Sequence, residues 1–324
     1  MSEQDRFVIS QSAELAGQDF PLIIEREGKR FAVTAFTDLD GTANDETLPE
    51  SERLATIEPA REAIAELEKR KIPAGIVSGR SFGEALLYQN ALKGHGFIIC
   101  EDGAVVVLPN LGLDLTSEAS LGSRYHLTEH EGRRALVLSK IDTATIGKFL
   151  SVVGLRSDAV TTIYSSPEQI QQVVGHPTSL AARLSADRLA SAYIAQASPE
   201  QLQRVTAMAP EFGIRTFGVP LHLIGTDADK GEALQVISDN VSIFFPNRGQ
   251  LAGIIPVVFG NNVNDIKLIQ RAETMGGVGV LVGHPMGGYF VPEDQIPQTT
   301  IKATKPYGLG MREAIPQVLE RLKI

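Results

Sequence analysis

The sequence predicts an α/β protein: a central, mostly parallel sheet covered by helices on both faces, interrupted by an inserted mixed α/β unit. Three observations carry this. Short apolar runs alternate with segments of helical spacing, as a sheet buried on both faces requires. The alternation loosens between about Pro109 and Leu221 and then returns. A chain of 324 residues also exceeds the commonest single-domain size, which favours two units or one core with a large insertion.

Taken in order, Phe31 to Thr37 is an apolar run ending in the polar turn Asp38-Leu39-Asp40-Gly41-Thr42, the pattern of a buried strand and its tight exit. Pro59 opens a helix with apolar positions at Ala60, Ile64, Ala65 and Leu67 and a basic end at Lys69, Arg70 and Lys71. Pro73 to Val77 is a second buried strand, followed by Ser78-Gly79-Arg80 and a helix over Ser81 to Leu92. Phe97 to Cys100 and Ala104 to Leu108 are strands. Polar clusters and alternating stretches such as Ala135 to Ser139 then mark the mixed unit, expected over 109–221. Beyond it come a helix over Lys230 to Ile237, a strand over Ile254 to Phe259 and a helix over Asn264 to Ala272. Strands over Val278 to Val282 and Thr299 to Ala303 and a helix over Met311 to Leu322 close the chain. The core is thus expected to be discontinuous, from 1–108 and 222–324. The first thirty residues read as an amino-terminal embellishment.

Composition narrows the function. A hydrophobic fraction of 43% and a charged fraction of 21% are those of a folded globular chain. The net charge of −9 argues against a nucleic-acid backbone as partner, so an anionic ligand must be attracted locally. The single Cys100 lies in an apolar run and reads as a small buried hydrophobe, consistent with a reducing compartment. No apolar run approaches bilayer-spanning length, and Met1 to Glu25 lacks a basic start with an apolar stretch. A cytoplasmic chain without membrane partners is expected.

In an open α/β sheet the ligand crevice lies outside the carboxyl ends of the strands, where Asp38 and Asp40 fall. Two carboxylates beside a glycine-permitted turn can divide labour, one attacking while the other moves a proton. The bland alternative is an Asp-Gly turn bonding its own backbone. Ser78-Gly79-Arg80 offers a hydroxyl and free N–H groups suited to a phosphoryl oxygen. Lys230-Gly231 opens a helix after a polar loop, where an ammonium can offset phosphoryl charge. Gly260-Asn261-Asn262-Val263-Asn264-Asp265 follows a strand and offers the hard oxygen donors that Mg²⁺ takes.

These four segments, in this order, resemble the haloacid dehalogenase superfamily, and the resemblance covers both halves of the expected core. It implies a Rossmannoid core with an inserted mixed α/β cap, and a Mg²⁺-dependent phosphatase for a small phosphorylated substrate. By position it implies Asp38 as nucleophile, Asp40 as general acid and base, and Lys230 as charge stabiliser. Ser78, Gly79 and Asn264 would bind substrate, and Asp38, Asp40, Asn261 and Asp265 would hold the metal. Ile98 to Ala104 is similar to a run common in the branch of sugar-phosphate phosphatases. His222 to Ala233, with Lys305-Pro306-Tyr307-Gly308-Leu309-Gly310, looks like the mannosyl-3-phosphoglycerate phosphatases, and Ala181 to Ile194 matches them more loosely. Ser78-Gly79-Arg80 looks instead like the sucrose-phosphate phosphatases and the Cof-type group. One departure stands out: these families usually have Gly-Asp where this chain has Gly260-Asn261. A sugar phosphate or glycosyl-phosphoglycerate is the expected substrate class. A phosphomutase with the same phosphoaspartate, or a catalytically weak phospho-sugar-binding protein, remain the alternatives.

Other features carry less. His126 and His130 have the i, i+4 spacing of a helical metal pair but lack a third ligand, so no zinc is assigned. Gly277, Gly279 and Gly283 fall in and around an expected strand and do not open a helix, so they make no dinucleotide loop. Arg133, Arg134, Arg183 and Arg188 fall in the expected insertion and are candidates for meeting an anionic substrate, though solvated charge is their commoner role.

Overall fold

A computed structural model of the chain describes residues 20–109, 115–130, 132–155, 160–161, 188–194, 197–217 and 221–324. Strands β1 (Ile23–Arg26) and β2 (Lys29–Thr37) form a hairpin whose turn places Glu27 and Gly28 at positive φ, as a two-residue hairpin loop demands. Part of the amino-terminal extension is therefore an added strand on the sheet. β3 (Ala74–Val77), β4 (Ile98–Cys100) and β5 (Val105–Val107) follow, then β6 (His126–His130) and β7 (Arg133–Val137). β8 (Val160–Thr161), β9 (Ala192–Ile194), β10 (Ile214–Phe217) and β11 (Leu221–Gly225) come next. β12 (Gly253–Gly260), β13 (Val278–Gly283) and β14 (Ile301–Pro306) complete the set.

Among the described residues these strands make a ten-stranded sheet in the order β14-β13-β12-β2-β3-β4-β5-β7-β6, with β1 also on β2, and a four-stranded antiparallel sheet in the order β10-β11-β9-β8. The large sheet is parallel from β14 to β4, and β5, β7 and β6 extend it antiparallel. Successive residues of β2 feed opposite faces. Val33 and Ala35 join the core under the helices Glu58–Lys69, Phe82–Leu92 and Tyr307–Leu322, while Ala32 and Phe36 join that under Lys230–Asp239 and Val263–Thr274. The fully buried Phe97 meets Phe244 and Phe245 edge-on, with ring centroids 5.2 and 5.9 Å away. The mostly parallel α/β fold expected from the sequence is the fold observed. Among the described residues no helix is long and apolar enough to cross a membrane.

The two sheets do not coincide with the expected boundaries. β6 and β7 lie within 109–221, yet β7 pairs with β5 and β6 with β7, so both lengthen the large sheet, because Ala135 and Leu136 are apolar enough to be buried there. β11 straddles the other boundary and belongs to the small sheet. The chain passes between the sheets near Ser139 and Asp227, whose side chains hydrogen-bond at 2.5 Å. A core of its own, with Phe149, Val153, Val205 and Leu223, packs the helices Thr143–Val153 and Pro199–Met208 near the small sheet.

A third passage is held by Glu101. Its carboxylate is completely buried and accepts from the backbone N–H groups of Leu189 (2.5 Å), Ala190 (3.0 Å) and Ser191 (2.7 Å) and from Ser191 Oγ (2.6 Å). Charge-assisted bonds of this kind are worth more than neutral ones. Glu101→Gln turns part of this acceptor into a donor facing other donors, so it should cost about 2–3 kcal/mol. Urea denaturation measures this, and an unchanged midpoint would contradict the clamp.

Candidate active site

The expected site residues come from three strand ends and one helix start. Asp38 follows β2, and its N–H donates to Phe259 O (2.9 Å), which ties the β2 exit to β12. The N–H groups of Thr42, Ala43 and Asn44 all point back to Leu39 O, coiling the turn beneath Asp40. Gly41 sits at φ +78°, and a Cβ there would lie 2.0 Å from Asn261 Nδ2, so conformation and space both require glycine. After β3, Ser81 caps the helix Phe82–Leu92 in a reciprocal box with Glu84. The Ser78 hydroxyl accepts from Arg80 N–H (3.2 Å). Past β12, Asn262 caps the helix Val263–Thr274, and Asp265 completes its capping box.

Lys230 is the hub. Its ammonium donates to Asp38 Oδ1 and Asp265 Oδ1, each at 3.0 Å, and all three side chains are nearly or fully buried. Asp265 Oδ2 accepts from the N–H groups of Asn261 (3.1 Å) and Asn262 (3.3 Å), which fixes the pair in orientation. Asp229 caps the Lys230 helix. Gly103 (φ +96°) packs directly against the Asp229–Lys230 backbone, where a Cβ would fall 2.2 Å from Asp229 C. The turn that begins with Glu101 therefore also seats Lys230.

Asp40 is held apart from this triad. Arg80 grips it bidentately, Nε to Oδ2 at 2.9 Å and Nη2 to Oδ1 at 2.8 Å, and Arg53 Nη1 adds a bond to Oδ1 at 2.9 Å. Arg80 also reaches Glu84 (3.2 Å). Arg53 binds the main-chain oxygens of Glu46 (2.9 Å) and Leu48 (3.0 Å), folding the loop after the turn over the site.

These environments divide the two carboxylates. Burial, followed by the charge of Asp265, pushes the Asp38 carboxyl well above the usual range, against the pull of Lys230. Burial acts upward on Asp40 too, but the hydrogen bonds and charge of Arg80, helped by Arg53, outweigh it and hold Asp40 below the usual range. Burial acts to lower the Lys230 ammonium, yet Asp265 and Asp38 more than offset it and keep it cationic.

Asn264 and Lys230 line a cavity of about 260 Å³ with Asp102, Arg215, Asp229 and Lys267. Asn264 thus faces an open space beside the hub, with its N–H on Asn262 Oδ1 (2.8 Å). Gly79 lies against Asp102, whose carboxyl is raised by burial. Arg188 is buried, bonds Ser191 Oγ (2.9 Å) and approaches Gly79 O at 3.4 Å, so it meets the Ser78–Arg80 loop. Arg133 and Arg134 do not: they sit on β7, four strands along the sheet from β2, because that segment pairs with β5. Arg183 lies outside the described residues. His126 and His130 are on a strand, so their helical spacing has no structural meaning here. Gly277, Gly279 and Gly283 pack in and before β13 and open no helix. Cys100 is a free, buried thiol.

A divalent cation suits the donor chemistry. Asp38 and Asp265 bring hard oxygens together on Lys230, and Asn261, at the end of the strand that precedes Asp265, offers an amide whose buried Nδ2 is without a partner. Among the described residues no three His, Cys, Asp or Glu side chains converge as a cage. Mg²⁺ does not need one, since it keeps several waters and shares substrate phosphate. The Asp40 carboxylate is taken up by the two arginines.

Fold and site together describe an α/β protein with acidic strand-end residues around a buried lysine. The sequence matches the haloacid dehalogenase-like hydrolase family over residues 35–284, and the chain belongs to that family. It is 24% identical over 293 residues to a glucosyl-3-phosphoglycerate/mannosyl-3-phosphoglycerate phosphatase of Persephonella marina, an alignment covering 89% of this chain and 97% of that one. The structure is similar to a haloacid dehalogenase-like hydrolase from Bacteroides thetaiotaomicron (TM-score 0.56, 16% identity, 88% of this chain and 99% of that one). It is also similar to a phosphatase of the haloalkanoate (HAD) enzyme superfamily from the same organism (TM-score 0.53, 15% identity, 93% and 99%).

Proposed function

We propose that the chain is a cytosolic, Mg²⁺-dependent phosphatase that acts through a phosphoaspartate on Asp38. The observation carrying this reading is the Lys230 ammonium, buried and bonded to both Asp38 and Asp265 at the strand ends, with Asp40 held alongside by arginines. A hydrolase family supplies the reaction class, and the phosphatase relative supports the substrate class.

Asp38 attacks the phosphorus of a phosphate monoester, and the P–O bond to the leaving alcohol breaks as the Asp38–phosphorus bond forms. Asp40 in its protonated form gives that proton to the leaving alkoxide, then takes one from the water that hydrolyses the acyl phosphate, so that phosphate leaves, Asp38 returns to the carboxylate and Asp40 to its protonated form. Mg²⁺, held by Asp38, Asn261 and Asp265, would counter the upward push on Asp38 and offset phosphoryl charge. Lys230 shares that second task. Ser78 and the N–H of Gly79 would bind the phosphoryl oxygens, and Asn264 the rest of the substrate.

The unit between about Ser139 and Gly225, with the small sheet, serves as the cap that selects the leaving group. Arg188 and Arg215 sit where it meets the core, and they suit an anionic sugar phosphate or glycosyl-phosphoglycerate. The test is a phosphate-release screen over sugar phosphates and phosphoglycerate conjugates, with and without Mg²⁺. Release of free phosphate that requires Mg²⁺ is expected. Return of phosphate to another sugar hydroxyl would indicate a mutase, and binding without turnover a phospho-sugar-binding protein.

A further inference from the structure

Asn261 is 1% exposed, and its Nδ2 makes no hydrogen bond. Its Oδ1 accepts from the Thr42 hydroxyl (3.1 Å) and, at longer range, from Asn262 Nδ2 (3.4 Å). The unpaired nitrogen points at Gly41, and on that same glycine lies a carboxylate outside the triad: a Cβ there would be 2.0 Å from Asn261 Nδ2 and 2.8 Å from Glu46 Oε1. Arg53 holds Glu46 by its main-chain oxygen, and its charge also acts on the Glu46 carboxylate.

A buried amide nitrogen left unpaired beside a carboxylate is costly, and the two ends of an amide are interchangeable in outline. Turning the Asn261 amide end for end keeps Thr42 satisfied, since its hydroxyl can accept as well as donate, and gives up only the long contact to Asn262. An amide oxygen and a carboxylate then both face Gly41. Two oxygens so placed call for a cation.

We propose that Glu46 is an acidic residue of the divalent-cation site, acting through its charge and through water beside the Asn261 amide. The inference rests on the metal-dependent reading above and adds to it a residue from the loop after the first strand. Glu46 supplies a negative charge near position 261, where the side chain itself has none. It is a positioning residue for the cation and touches no reacting atom.

The test uses Mn²⁺ as probe, with free Mn²⁺ measured by electron paramagnetic resonance in the absence of substrate. The full chain is compared with Glu46→Gln, Glu46→Asp, Asn261→Asp and the double variant Glu46→Gln/Asn261→Asp. Glu46→Gln should weaken Mn²⁺ binding about tenfold or more, the range for groups that support metal ligands. Glu46→Asp should weaken it less, and Asn261→Asp should restore affinity in the Glu46→Gln background. Equal melting temperatures without metal show that the variants fold alike. Undiminished Mn²⁺ affinity in Glu46→Gln, with Asn261→Asp tightening it, overturns the role of Glu46 and leaves the metal-dependent reading standing. Failure of the unsubstituted chain to bind Mn²⁺ overturns both.

Discussion

Asp38→Asn is expected to lower phosphate release by about 10⁴-fold or more while leaving the fold intact. The amide cannot form the phosphoryl intermediate, and no neighbour can replace it. Asp265 is turned to Lys230 and two backbone N–H groups, and Asp40 is bound by two arginines. Folding should survive because the amide oxygen can still accept from Lys230, and removing one of two carboxylates facing a single ammonium relieves repulsion with Asp265. Steady-state phosphate release on the folded variant is the readout. Turnover near the unsubstituted rate would remove Asp38 from the chemistry.

Asp40→Asn should slow turnover of an alkyl phosphate by about 10² to 10⁴, the range of general acid–base catalysis. The loss should be smaller for an aryl phosphate, whose leaving group needs no proton. Arg80→Gln adds a pH signature. Arg80 and Arg53 hold the Asp40 carboxyl below its usual range. A depressed value keeps the base form present until the pH falls through it, so losing Arg80 should move the acid limb of the rate profile to higher pH. A pH–rate profile shows this directly, and an acid limb unmoved in Arg80→Gln would mean that Asp40 is not the base it reports.

The core was legible because most of its strands are short apolar runs and most of its helices are periodic. β12 was readable even though Pro256 interrupts its donors, since Ile254, Ile255, Val257, Val258 and Phe259 leave no other place for that segment than the centre of the sheet. The edge was harder. β6 and β7 carry His126, Glu129, Arg133 and Arg134 among their apolar residues, so their texture resembles that of a separate unit, and only pairing to β5 decides where they belong. The site divides in the same way. Asp38, Lys230 and Asp265 could be placed together because each stands at a recognisable strand end or helix start. Arg53, Glu46 and Glu101 could not. Arg53 reaches Asp40 from a loop with no local pattern, Glu46 approaches Asn261 across Gly41, and Glu101 finds its partners some ninety residues later. Such contacts depend on how loops return to the sheet edge, and neither periodicity nor composition records that.

The central claim, a phosphoryl group carried on Asp38, is tested most directly by rapid acid quenching of the Asp40→Asn variant with an aryl phosphate and Mg²⁺, followed by mass spectrometry of its peptides. With an aryl leaving group the first step needs no acid, whereas hydrolysis of the intermediate still lacks its base, so phosphorylated protein should accumulate. The account expects the phosphoryl group on Asp38, in an amount approaching the enzyme present. Release of aryl alcohol with no phosphorylated peptide, or with the phosphoryl group on another residue, would contradict it.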